Sequence, residues 1–227
     1  MEIIFQKLSI ILVPGLLAIT LHEVAHGWVA DRLGDPTARL LGRLTLNPFK
    51  HLDPVGTLLL FFIGFGWARP VPVNPGNLPN PRRNMLWVAL GGPTANLGLA
   101  LFSALLLRGL GRMPTNGTGM SALAMLLEPL TLMVAFSVYI NLVLMIINLV
   151  PVPPLDGGRV LAGLLPERAA AAMARLEPFG FFVVIILFFS SPLAERVLWP
   201  SVGFLTALLT GPQLVLVQKV FAILFRS

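Results

Sequence analysis

The sequence predicts an all-α, multi-pass membrane protein: about five transmembrane helices, a re-entrant segment and a small β-strand region beside a metal site. Three observations lead there. Only 11% of the residues are charged, against about 25% in ordinary soluble chains. Several apolar runs reach the roughly 20 residues needed to cross a bilayer. The few polar residues inside those runs are of the types that bind metals. The 227 residues read as a single domain, with a core over about 5–165 and C-terminal helices over about 176–227.

The first apolar run, Ile4 to Leu33, carries His22, Glu23 and His26 in an H-E-x-x-H spacing. On a helix, positions i and i+4 share a face, so two imidazoles one turn apart can reach one tetrahedral metal while the neighbouring carboxylate acts on a water. The run lacks the basic start and small-residue cleavage site of a signal peptide, so it is expected to remain in the mature protein. It should stop at "RLGDP", where Gly34 can adopt the left-handed C′ conformation and Pro36 cannot continue the helix. His26 then lies about 12 Å from that end. Alternatively, the two histidines are polar helix-contact residues, but ionisable groups at membrane depth usually mark function.

Two segments that follow, Ala38 to Leu46 and Ala68 to Asn74, have the rough alternation of short strands, with Pro72 and Pro75 limiting the second to an edge. Between them Val55 to Trp67 is too short for a crossing and reads as re-entrant. His51, among basic loop residues, reads as an interfacial loop residue. Met85 to Leu107 and Ser121 to Val150 are the next spans. Two further spans in the C-terminal third, near Phe179 to Phe189 with its flanks and Val197 to Val217, complete the set. Trp67, Trp87 and Trp199 suit interface anchors.

Basic residues give the orientation, because cytoplasmic loops carry the excess of Lys and Arg. Arg32, Arg39, Arg43, Lys50, Arg69, Arg82 and Arg83 flank the re-entrant run on both sides, which places its two ends in the cytoplasm and the N-terminus outside. Arg159, Arg168, Arg175, Lys219 and Arg226 follow inside; Lys7, Arg108, Arg112 and Arg196 fall outside. Although the net charge is +6, these residues are dispersed along loops, so a nucleic-acid partner is not expected.

Cysteine is absent and there are three histidines, so a metal here has only imidazole and carboxylate ligands. The stretch "NLVPVPPLDGGRV", Asn148 to Val160, must break its helix. Backbone broken at membrane depth lines a cavity, and there Asp156 can serve as a third ligand. Equally, Asp156 can simply cap the next helix while Gly157 and Gly158 turn. Asn96 and Asn148 are candidates to contact substrate or stabilise an oxyanion, or else to bond between helices.

Together "HEVAH", "GGPTANLGLA" (Gly91 to Ala100) and "NLVPVPPLDGG" closely resemble the three ordered motifs of the site-2 protease family of intramembrane zinc metalloproteases, in its short form without a PDZ or CBS domain. The resemblance implies one Zn2+ per chain held by His22, His26 and Asp156, with Glu23 as general base and acid. It also implies that the unwound segment after Asn148 lines a cleft. The expected partners are transmembrane helices of single-pass proteins within the lipid bilayer of a prokaryotic cell, cut by an active site toward the cytoplasmic side. The competing reading is a membrane zinc carrier or sensor without hydrolytic activity, which leaves Glu23 without a purpose.

Overall fold

The structure is a computed structural model that describes residues 2–63, 66–111, 121–189 and 192–225. Its helices in chain order are α1 (Glu2–Arg32), α2 (Thr37–Leu40), α3 (Pro54–Ile63), α4 (Pro81–Leu110) and α5 (Ser121–Asn148). They are followed by α6 (Asp156–Leu164), α7 (Glu167–Ala174), α8 (Gly180–Phe189), α9 (Trp199–Thr210) and α10 (Leu214–Phe225). Long apolar helices α1, α4 and α5 pack on one another, and α6 packs on α4. Small residues at the contacts, Ala18, Ala100, Ser103, Ala104, Ala135 and Ser137, are buried and let the backbones approach closely. Val13, Phe102, Leu105 and Phe204 project outward and are more than half exposed, as lipid-facing side chains are. With these long apolar helices the chain is a multi-pass integral membrane protein.

The α1 terminus follows the sequence expectation. Gly34 has φ +112°, and the Asp35 N–H returns to the Ala30 carbonyl at 2.9 Å, closing the helix end. The run after it also turns back as expected. Asp53 caps α3 by accepting the Gly56 N–H at 2.8 Å, while Leu52 and Ala68 pair in an isolated antiparallel bridge. The Arg69 N–H reaches the His51 carbonyl at 2.8 Å. Both ends of the α3 segment therefore meet at one place.

Three features differ from the sequence expectation. First, Ala38 to Leu46 and Ala68 to Asn74 form no strand among the described residues. The reason lies in the donors: Pro70, Pro72 and Pro75 have no N–H, and the Arg69, Val71 and Asn74 N–H groups bond to His51 O, Glu23 and Asp35. Too few remain to build a ladder.

Second, the described residues hold four candidate spans rather than five: Lys7–Arg32, Pro81–Leu110, Leu127–Asn148 and Ala194–Leu224. The stretch from Phe179 to Phe189 gives α8, which has 10 residues, or about 15 Å of helix. Third, the last span is not straight. Gly211 has φ +57° and starts a short 3-10 turn, Gly211–Gln213, between α9 and α10.

As a result α10 lies against the far ends of the other helices. Val217 and Val220 join a core with Ile10, Leu107 and Leu132, and Lys219 pairs with Glu128 at 2.6 Å. Lys7 donates to the Leu224 carbonyl. Lys219 thus belongs to the same end as Lys7 and Arg108, not to the opposite side. Ala194 and Leu198 pack on Val150, which moves Arg196 to the other end. Arg112 and Arg226 lie outside the described residues.

His51 is a loop residue, as the sequence suggests, and its ring is fully buried within the protein. Its Nε2–H donates to the Thr45 carbonyl at 2.9 Å, so the ring fastens the loop that carries the α3 hairpin.

Candidate metal centre

Three separate elements deliver the site. α1 presents His22 and His26 one turn apart, with ring centroids 4.6 Å apart and planes at 85°. α6 starts at Asp156, directly after the Pro151, Pro153 and Pro154 that prevent α5 from continuing. A carboxylate in a first helical turn is favoured by the helix dipole. α4 closes the third side through Gly92. A Cβ there would lie 2.5 Å from His22 Cε1, His22 Nε2 and His26 Nε2, so only glycine lets α4 pack against both rings.

His22 Nε2, His26 Nε2 and Asp156 Oδ2 converge. The two nitrogens are 3.0 Å apart, and Asp156 Oδ2 is 3.1 Å from one and 3.2 Å from the other. All three residues are buried. Ligand atoms at about 2.0–2.1 Å from a tetrahedral zinc stand roughly 3.3 Å from one another, so the triangle has nearly the right size.

The protonation pattern also fits a metal. The His26 Nδ1–H donates to the Val88 carbonyl at 2.7 Å, and a carbonyl can only accept. His22 Nδ1 faces Asn96 Oδ1 at 2.6 Å, while the Asn96 amide nitrogen donates to Ala18 O and Asn141 Oδ1, so here too the imidazole is the donor. When both rings are neutral each is the Nδ1–H tautomer, with its Nε2 lone pair turned toward Asp156 Oδ2. Three such acceptors within about 3 Å repel one another unless a cation lies between. The residues present fit zinc.

Glu23 is half-buried on α1. Its Oε2 accepts the Val71 N–H at 2.8 Å, so the extended segment 69–74 orients the carboxylate. That segment is secured in turn by Asp35, which accepts from the Asn74 N–H at 2.6 Å and the Asn77 amide at 2.7 Å. Burial alone would raise the Asp35 pKa, but bonds from Thr37, Asn77 and Asn74 outweigh it and hold the carboxyl below its ordinary range.

Of the six site residues expected from sequence, the structure brings His22, His26 and Asp156 together, with Asn96 behind His22. Asn96 is fully buried, and its amide already donates to Ala18 O and Asn141 Oδ1. An oxyanion donor would need that amide directed at substrate, so its surroundings make it a histidine partner instead. Asn148 sits at the last turn of α5, where its amide donates to the Leu144 carbonyl at 2.9 Å. Sequence reading had Gly92 only as part of "GGPTANLGLA" and Val71 only as part of a strand segment, with no role at the site for either, and passed over Asn141, whose local signal is a polar residue in the apolar stretch "FSVYINLVLMIIN".

Comparison with known proteins agrees with this geometry. The model of peptidase family M50 matches residues 10–191. The chain is 43% identical over 188 residues to the protein named "Putative zinc metalloprotease YwhC" of Bacillus subtilis (strain 168), covering 83% of each. It is 30% identical over 188 residues to "Putative zinc metalloprotease Rip2" of Mycobacterium tuberculosis (strain ATCC 25618 / H37Rv), covering 78% of this chain and 66% of that one. No solved structure matches. The chain belongs to peptidase family M50, the site-2 protease family, and is a zinc-dependent membrane protease.

Proposed function

We propose that this protease cleaves transmembrane segments of single-pass membrane proteins, with His22, His26 and Asp156 as its zinc ligands and Glu23 as general base and acid. The observation that carries this reading is the buried triangle of three ligand atoms, two imidazole nitrogens and a carboxylate oxygen, set among helices whose outer faces are apolar. A soluble peptide has no route to such a site through lipid; a membrane-spanning substrate approaches it laterally.

Bound zinc supplies Lewis acidity, polarising the scissile carbonyl and making an attacking water more acidic. The residues of the chain do the rest. Val71 N–H holds Glu23 Oε2, which leaves Oε1 to take the proton from the attacking water and return it to the departing amine nitrogen. A hydrogen bond from a backbone N–H to a carboxylate contributes about 1.5–3 kcal/mol, enough to hold one rotamer. Asn96 and Val88 keep both imidazoles in the Nδ1–H form. Asn148, beside the non-helical turn from Leu149 to Leu155, contacts the substrate chain, which must lose its own helical bonds before attack. The site faces the cytoplasmic side, where the basic loops after α1 and before α4 gather.

The test is Glu23→Gln with a tagged single-pass substrate co-expressed. Glutamine keeps the shape but cannot accept the proton, so cleavage should fall at least about 100-fold while zinc content stays at one per chain. Cleavage at the wild-type rate would refute the assignment of Glu23.

A further inference from the structure

We propose that Asn141 of α5 is a positioning residue for the metal centre, setting the tautomer of His22 through Asn96 and thereby the affinity for zinc. The inference rests on the reading of His22 as a zinc ligand and extends it to a third helix.

The argument is one of hydrogen-bond direction. Asn141 is 1% exposed, and its amide nitrogen donates to the Ser137 carbonyl at 2.9 Å. A main-chain carbonyl cannot donate, so Asn141 has one permitted orientation, with Oδ1 turned toward Asn96. That oxygen accepts the Asn96 amide N–H at 2.9 Å. Asn96, at 0% exposure, is then obliged to present Oδ1 to His22 Nδ1 at 2.6 Å. His22 must carry its proton on Nδ1, which leaves the Nε2 lone pair for the metal. The polarity runs one way from the backbone of α5 to the ligand atom on α1. Ser103 Oγ, 2.9 Å from Ser137 Oγ, extends the network on α4.

Without Asn141, the Asn96 orientation depends on Ala18 O alone, at a longer 3.3 Å. A flipped Asn96 would offer N–H to His22 and draw its proton to Nε2, the tautomer that cannot ligate. His26 has no such dependence, because its Nδ1–H bonds directly to the Val88 carbonyl. The two ligands therefore differ: one is set by backbone, the other by a relay of side chains.

The chain has three histidines, so 15N-histidine NMR of the full-length protein in nanodiscs can follow each ring. In chelator-treated Asn141→Leu, His22 should divide between its two neutral tautomers while His26 and His51 keep theirs. Zinc affinity, measured by titrating Zn2+ against a competing chelator, should fall about 10–100-fold, the usual effect of losing an outer-shell partner.

Should Asn141→Leu fail to fold, Asn141→Ser, too short to reach Asn96, gives the same readout. His22→Ala serves as the reference. Zinc lost from His22→Ala but bound with wild-type affinity by Asn141→Leu, with His22 still wholly Nδ1–H, overturns this inference alone. Zinc retained by His22→Ala overturns the ligand assignment as well.

Discussion

Gly92→Ala should remove zinc without changing any ligand. The added Cβ would stand 2.5 Å from His22 Cε1 and from the Nε2 atoms of both His22 and His26. Ordinary van der Waals contact begins at 3.4 Å, so α4 and the two rings must separate by about 0.9 Å. Metal–ligand distances are held to within about 0.2 Å, and the rings cannot retreat easily. His26 is bonded to Val88, four residues before Gly92 on the same helix, and His22 to Asn96, four residues after it. Moving α4 away to relieve the clash lengthens both bonds. The expected loss in zinc affinity is at least about 100-fold, the upper end for removing an outer-shell partner, since two are strained at once. The assay is zinc content after dialysis against graded chelator, with Gly98→Ala as control. Gly98 lies on the same helix with nothing within 4 Å of the added Cβ. Full zinc in Gly92→Ala at wild-type affinity would refute the close packing of α4 on the ligands.

Three further outcomes are expected. Val71→Pro removes the N–H that anchors Glu23, so turnover should drop by about 100-fold or more with zinc unchanged; equal loss of zinc would show that the segment supports the metal instead. Asp35 has a depressed pKa in the folded protein, so its contribution is complete above the unfolded value of about 3.9 and declines as pH falls through the lower folded value. Limited proteolysis of segment 69–77 should therefore rise only below about pH 4 in the wild type, whereas Asp35→Asn, which points N–H toward the donors of Asn74 and Asn77, should be cut at neutral pH. Impermeant thiol reagents should label Leu46→Cys and Asn80→Cys from one side of the membrane and Lys219→Cys from the other. Lys219 lies with Lys7 at the start of α1, and Leu46 beyond its end, some 25 residues or about 38 Å of helix away; labelling of Leu46 and Lys219 from the same side would refute the placement of α10.

Much of the candidate site was local and therefore legible. The i, i+4 spacing of His22 and His26 needs only a helix to become a pair of ligands, and the absence of cysteine limits their company to carboxylates. The end of α1 was equally local, since Gly34 and Pro36 act on their own backbone. The strand region misled because alternation reports where side chains point, not where N–H groups bond. Val71 and Asn74 gave theirs to carboxylates 48 and 39 positions away, and prolines removed others. The placement of Lys219 misled for a different reason. Counting basic residues follows charge along the chain, while the turn at Gly211 lays α10 against Ile10 and Glu128.

What sequence by itself determined is the chemistry available: an apolar chain that must satisfy its backbone in helices, one carboxylate-flanked histidine pair, and one aspartate at a forced helix break. What only the tertiary structure decided is how that chemistry is poised. Whether His22 offers a lone pair or a proton depends on Asn96, 74 residues away, and through it on Asn141. Whether two imidazoles can sit 3.0 Å apart depends on a missing Cβ at Gly92. Hydrogen-bond direction and close contact are relations between helices, set when α1, α4 and α5 pack, and no single stretch of sequence contains them.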